Sequence, residues 1–88
     1  MDDSDLLEFA GRAAGVQYTS QNNPLEDDAL ALRLAVRLRL EIDIHHTGIA
    51  IRTPNGIKVL VGAEDEPDAN AATRRAIVRA AAEIGRAA

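Results

Sequence analysis

Two adjacent histidines, His45 and His46, are the first candidates for chemistry, because an imidazole can bind a metal ion or transfer a proton. They end a segment in which apolar and charged residues alternate, a pattern that predicts a β-strand. Neighbouring side chains on a strand point to opposite faces, so the two rings are poorly placed to share one metal ion. His45 shares its face with Glu41 and Asp43, which could form a His-carboxylate site. A polar strand end beside a turn is the favoured interpretation, because metal sites usually need three or four ligands.

Acidic residues cluster at the N-terminus and in the run from Glu64 to Asp68. That run lacks the alternating order of a calcium-binding loop, so we interpret it as a solvated connector in which Asp68 caps a helix. The chain has no phosphate-loop motif, no nucleophile elbow and no cysteine. The sequence therefore predicts no catalytic, cofactor-binding or metal-binding residues, no cofactor, and a protein that is not an enzyme.

Arginine is the one residue type whose spacing forms a constellation. Arg75, Arg79 and Arg86 fall within about 60° of arc on a helical wheel, and such a stripe can follow a phosphate backbone. Against this interpretation stand Glu83 at the edge of the stripe, the shortage of aromatic residues for base stacking, and a formal net charge of −4. A solvated helix face is favoured, with a contact to nucleic acid or to a protein partner as the alternative.

Three helices that could position these groups are predicted from apolar residues at helical spacing. Their predicted bounds are Asp3 or Ser4 to Gly15, Asn23 to about Arg37, and Ala69 to about Arg86. The second has the clearest start. Asn23-Pro24-Leu25-Glu26 combines a preferred N-cap, a proline at the first helical position and a capping-box glutamate.

Between the second and third helices the apolar period changes from 3.6 to 2, which predicts three antiparallel strands in chain order. His46-Thr47-Gly48 and Thr53-Pro54-Asn55-Gly56 supply the hairpin turns. The predicted register forms the rows Ile44–Ile49–Val61 and Ile42–Ile51–Val59 on one face, and the rows Glu41–Arg52–Lys58 and Asp43–Ala50–Leu60 on the other. A slip of one residue would turn the isoleucines into water, so the register is well specified.

These elements predict an α+β fold in the order α-α-β-β-β-α, with a three-stranded antiparallel sheet packed with three helices. The 88 residues form one domain, residues 1–88. We expect the second and third helices to cover the face that carries Ile42 and Ile44. The Ala50–Leu60 patch on the polar face could accept the first helix or a second chain.

Two blocks, NPLEDDALALRLAV (23–36) and AATRRAIVRAAAEIG (71–85), resemble a known family. They are similar to the phage ABA-sandwich domain, a group of small proteins of tailed bacteriophages and prophages related to the NinX-like phage proteins. The resemblance covers most of the chain from Asn23 onward. It implies a phage or prophage gene in a bacterium, with helices on both faces of the sheet, and it implies no known activity.

The charge and the hydropathy of the chain limit its location and its partners. A net charge of −4 argues against a surface devoted to nucleic acid. The acidic N-terminus is unlike a secretory signal, and no apolar run approaches the roughly 18 residues that span a bilayer. We therefore expect the cytoplasm of a bacterial host, with no membrane partner.

The second helix has nearly two apolar sides, whereas a surface helix needs one. On a wheel of 100° steps, one side carries the predicted core stripe, made of Leu25, Ala29, Leu32 and Val36. Leu30 and Leu34 lie on a different side. We expect that side to contact a second copy in a two-fold dimer, the commonest closed assembly.

The sequence thus favours a phage-encoded accessory protein that acts by binding and not by catalysis. The predicted partner is another protein or a second copy of the chain. The alternative is a weak nucleic-acid-binding module that uses the arginine stripe.

Overall fold

Three helices and three strands follow one another in the predicted order α-α-β-β-β-α, and the α+β class is confirmed. The structure is a computed structural model that describes residues 1–62 and 66–87. In chain order the elements are α1 (Asp3–Ala14), α2 (Asp28–Leu38), β1 (Glu41–His45), β2 (Gly48–Arg52), β3 (Lys58–Gly62) and α3 (Ala69–Ala87). Glu64 and Asp65 of the predicted acidic connector lie outside the described residues.

The sheet has the predicted strand order and register. Its strands are antiparallel in the order β1-β2-β3, and Ile49 pairs with both Ile44 and Val61. The turn before β3 closes as its residues require, with Gly56 at a φ of 90° and its amide donating to the carbonyl oxygen of Thr53 at 3.0 Å. Side-chain alternation and turn chemistry therefore fix this part of the fold locally.

Helix α3 has the predicted bounds, and Asp68 caps it by accepting from the amide of Ala71 at 2.7 Å. It contacts β2, β3, α1 and α2, and it is buried around most of its circumference. Small side chains make this possible, because they let neighbouring backbones approach closely. At Gly85 an added Cβ would collide with the carbonyl oxygen of Phe9.

Helix α1 ends at Gly15 as predicted, at a φ of 73°, but its predicted cap on Asp3 or Ser4 is wrong. Asp2 is the cap, and its carboxylate accepts from the amide of Asp5 at 2.8 Å. The carboxylate of Asp3 has a different partner, the guanidinium of Arg75.

Helix α2 begins at Asp28, so the predicted start at Asn23 is wrong. Asn23 instead organises a separate turn. Its side-chain oxygen accepts from the amide of Leu25 at 2.9 Å, and its carbonyl oxygen accepts from the amide of Glu26 at 3.0 Å. The sequence signal is therefore a real turn signal, but the turn does not continue into the helix.

Arg74 of α3 keeps this turn separate from the helix. Its Nε donates to the carbonyl oxygen of Leu25 at 2.8 Å. In a continuous helix that oxygen would accept from the amide of Ala29. The amide of Ala29 instead donates to the carboxylate of Asp27, the actual cap, at 2.9 Å. The start of α2 therefore has a local cap, Asp27, and a long-range contact, Arg74, that occupies the carbonyl of the preceding turn.

The buried side of α2 also differs from the predicted core stripe. Leu34 is 1% exposed and is flanked by buried Ala31 and Ala35, whereas Leu32 and Val36 are 61% and 69% exposed. The physical reason is that α2 packs against α3, and two small alanines allow a closer approach than the larger side chains of the predicted stripe.

The expected covering of the sheet is only partly correct. Helix α3 lies over β2 and β3, where Ile51 and Val61 are at most 3% exposed, but Ile44 on β1 is 62% exposed. On the opposite face the side chains of Arg52 and Leu60 are exposed, and no helix in the described ranges covers them. The helices on both faces that the phage-family resemblance implies are therefore not seen.

Candidate interaction surface

The histidine pair lies at the exposed end of β1. His45 Nε2 is 3.0 Å from Asp43 Oδ2, and both side chains are more than half exposed. His46 begins the turn that follows. Within residues 1–62 and 66–87, no group of three or more potential ligands is arranged to hold a metal ion. The arrangement is a surface contact between an imidazole and a carboxylate on the outer face of the sheet.

The arginine stripe of α3 is assembled as the wheel predicts, but carboxylates hold two of its members. Arg75 donates to Asp3 at 3.0 Å and also to Glu66, while Arg86 donates to Glu83 at 2.8 Å. The hydrogen bond to Asp3, helped by the one to Glu66 and opposed by burial, raises the pKa of the Arg75 guanidinium. Arg75 therefore ties α1 and the connector to α3.

A groove along β3 contains the whole stripe. It has a volume of about 670 Å³, and its lining includes Arg75, Arg79, Arg86, Glu83 and Lys58. A phosphate backbone would have to compete with the carboxylates already bound to two of the arginines. This lowers the electrostatic gain that the stripe could offer.

A second groove, between α2 and β1, has the opposite character. Leu32, Ile42 and Ile44 line it, and Ile77 of α3 also contributes. Its volume is about 340 Å³. Val36 lies one turn beyond Leu32 on the same side of α2 and extends the apolar area. We call the four side chains Leu32, Val36, Ile42 and Ile44 the α2–β1 surface.

Exposure is what distinguishes the α2–β1 surface. Ile42 is 36% exposed, and the other three members are between 61% and 69% exposed. Contiguous apolar patches of this kind mark interaction sites on soluble proteins, whereas single exposed apolar residues are ordinary. An ion pair between Arg74 and Asp28, 2.7 Å apart, lies among the lining residues of the groove.

The leucines predicted to mediate self-association are not members of this surface. Leu34 lies in the core, so its predicted role is wrong, and Leu30 is half-buried. The wheel correctly showed two apolar sides on α2 but assigned them the wrong way round. For Ile42 and Ile44 the available signal was their place on the first of three strands in chain order, which makes β1 an edge strand.

A larger hollow lies elsewhere, between α1 and the loop after it, with a volume of about 1010 Å³. Its lining includes the ion pair of Glu8 and Arg12, 3.6 Å apart, and the side chain of Tyr18. Burial raises the pKa of Tyr18, although Arg37 opposes the shift. Tyr18 is therefore neutral at ordinary pH and is not activated as a nucleophile.

None of the helices in the described part of the chain has both the length and the apolar character needed to cross a bilayer. Comparison of the chain with protein-family models, with curated proteins and with solved structures gives no match.

Proposed function

We propose that this chain acts by binding protein and not by catalysis, and that the α2–β1 surface is its contact site. The observation that carries the proposal is the contiguous exposure of four large aliphatic side chains. Complete burial of such a side chain from water is worth about 1.5–3 kcal/mol, and a partner that covers the four gains the share that corresponds to their exposed fractions.

The chemistry of the groove favours a protein partner. Its exposed members are branched aliphatic side chains, which suit other apolar side chains and not a phosphate or a sugar. The Arg74–Asp28 pair satisfies its own charges within the chain, so it does not call for a charged ligand. The α2–β1 surface is therefore suited to an apolar protein face.

A weak nucleic-acid-binding role for the arginine groove has less support. Arg75 and Arg86 are already bonded to carboxylates, and the chain carries a net charge of −4. The resemblance to the phage ABA-sandwich family supports the wider proposal of a phage or prophage accessory protein that works in the bacterial cytoplasm. The neighbours of the gene in its genome test that wider proposal directly.

Site-specific photo-crosslinking tests the proposed function. A photoreactive amino acid replaces Leu32 or, as the matched control, Leu60, which is exposed to almost the same extent on the opposite face of the sheet. The exposed fractions are 61% and 66%. In cells that carry the gene, we expect the Leu32 probe to give a protein adduct of discrete mass and the Leu60 probe to give none.

The substitution Ile44→Glu supplies the second arm of the test. When it is combined with the probe at position 32, Ile44→Glu should abolish the adduct. Leu60→Glu, combined with the same probe, should leave the yield of that adduct unchanged. Equal yields from the two probe positions, or an adduct at Leu32 that survives Ile44→Glu, would contradict the proposed contact site.

A further inference from the structure

The free backbone groups of β1 belong to its two isoleucines. His45 and Gly48 pair across a two-residue loop, so they must be a hydrogen-bonded pair. Hydrogen-bonded and non-hydrogen-bonded pairs alternate along an antiparallel ladder, so Asp43 and Glu41 also bond to β2. The amides and carbonyls of Ile42 and Ile44 therefore point to the open edge of the sheet.

Strand β1 carries charged side chains, Glu41 and Asp43, on its outer face, but it lacks the other devices that commonly protect an edge strand. Such strands commonly carry lysine or proline, or a bulge that interrupts pairing. Residues 41–45 contain neither residue type, and the five residues pair with β2 without interruption. The same two isoleucines thus present unpaired backbone groups at the edge and exposed side chains on the inner face.

We propose that the α2–β1 surface binds a second copy of itself, with the two β1 strands paired antiparallel about a two-fold axis at Asp43. This inference rests on the proposed function and names its partner. In this register Ile42 lies opposite Ile44 of the second copy, and Ile44 lies opposite its Ile42. The two three-stranded sheets become one sheet of six strands.

The sequence of β1 is self-complementary in this register. All five residues of each strand overlap, and the two isoleucine pairs can exchange about four backbone hydrogen bonds. On the outer face Glu41 lies opposite His45 of the second copy, which places an acidic group beside a basic one. Shifting the register by two residues in either direction loses strand overlap and separates these pairs.

Side chains of α2 complete the interface on the inner face. Leu32 lines the same groove as Ile42 and Ile44, so it packs against the new row of isoleucines. Strand pairing therefore buries the apolar groove and satisfies the open backbone edge together. A partner that only packs helices on the groove would leave the backbone groups of Ile42 and Ile44 in water.

The register also predicts a specific weakness at the axis. The two Asp43 residues form a directly opposed, non-hydrogen-bonded pair with Cα atoms about 4.5 Å apart, and opposed like charges weaken a sheet. Each carboxylate also lies 3.0 Å from the imidazole of its own His45. Asp43→Asn should therefore strengthen the dimer, lowering its dissociation constant by about threefold or more.

Light scattering and hydrogen exchange on the purified chain test the proposal. At tens of micromolar we expect twice the chain mass, and Ile44→Glu should halve the mass while Leu60→Glu leaves it unchanged. The amide of Ile42 should exchange at least about tenfold more slowly in the dimer than in the Ile44→Glu variant, and the amide of Ile44 should slow similarly when the wild-type chain is concentrated from monomer to dimer. The amide of Asp43, which bonds to β2, is the internal control and should be protected in both.

A chain that stays monomeric, or a dimer in which the Ile42 amide exchanges as fast as in the variant, would overturn this inference. A dimer that Asp43→Asn weakens would overturn the register. The proposed function fails separately, through the photo-crosslinking test. A monomer whose Leu32 probe still reaches a different protein would overturn the strand pairing and leave the proposed function supported.

Discussion

The two edges of the sheet carry similar aliphatic side chains on the same face but bury them very differently. Ile44 and Val61 are the two ends of one cross-strand row, joined through Ile49. Val61 on β3 is 3% exposed, whereas Ile44 on β1 is 62% exposed. The α2–β1 surface therefore arises from the covering layer and not from the composition of its strand.

The dimensions of helices and strands explain the difference. A helix with its side chains is about 10–12 Å wide, and neighbouring strands lie about 4.8 Å apart, so one helix covers about two strands. Helix α3 lies over β2 and β3, and α1 and α2 pack mainly against α3. The third strand of the sheet is consequently left without a cover.

Two neighbouring arginines of α3 connect to the two sides of the molecule. Arg74 bonds to the turn before α2 and to Asp28, whereas Arg75 bonds to Asp3 and Glu66. One arginine therefore sets the boundary of the apolar groove, and the other fixes elements beside the charged groove. The contrast between the edges can be tested by substitutions on each side.

The largest expected difference lies between the two ends of the aliphatic row. Val61→Ala should lower the free energy of unfolding by about 2 kcal/mol, because it creates a cavity under α3. Ile44→Ala should cost less than about 1 kcal/mol when the chain is dilute enough to be monomeric. Urea unfolding followed by circular dichroism measures both, and equal losses would contradict the placement of α3.

Removing the contact of Arg74 with the turn before α2 should have the next largest effect. Arg74→Ala should cost about 1.5 kcal/mol, because the charged hydrogen bond to the carbonyl of Leu25 is lost. Hydrogen exchange at the amide of Ala29 should also change, because the freed carbonyl oxygen of Leu25 becomes available to accept from it. Arg33→Ala, on the exposed side of α2, is the control. Unchanged exchange at Ala29 in the Arg74 variant would argue against a role of Arg74 at the start of α2.

On the charged side, Arg75 and Arg79 form a matched pair one helical turn apart. Arg75→Ala should cost about 1 kcal/mol, because two carboxylates lose their partner at a partly exposed site. Arg79→Ala, at an exposed position, should change stability by less than about 0.5 kcal/mol. Thermal unfolding of the two variants should rank them in this order, and a reversed ranking would contradict the bonding of Arg75.

The smallest expected effect is the binding of nucleic acid to the charged groove. We expect a dissociation constant for duplex DNA weaker than about 10 µM at physiological salt, outside the range of specific binders. Fluorescence anisotropy at two salt concentrations measures it. Submicromolar binding that is lost when Arg75, Arg79 and Arg86 are all changed to Glu would show that the groove along β3 binds nucleic acid, and it would contradict this prediction.

The strand region could be predicted in detail because its determinants are local. Alternation of side chains and the turn residues define three strands, and one register alone keeps all the isoleucines on one face. The structure confirms every pair of that register. The third helix could be predicted equally well, since Asp68 provides a cap and the periodic pattern continues to the end of the helix.

The second helix could not be predicted to the same extent. Its start involves the Asp27 cap and also Arg74, which lies far along the chain from the Leu25 carbonyl that it binds. Its buried side depends on how closely Ala31 and Ala35 can approach α3. A helical wheel reports which residues are apolar but not which side meets the best-fitting neighbour.

By itself, the sequence determined the class, the order of the elements, the sheet register and the presence of a surplus apolar side on α2. Only the tertiary structure decided which apolar side chains stay in water. That outcome depends on the position of α3 over two strands of three, and on which helix packs against which. Both are properties of long-range packing, and the periodicity and the capping residues of a sequence carry no information about them.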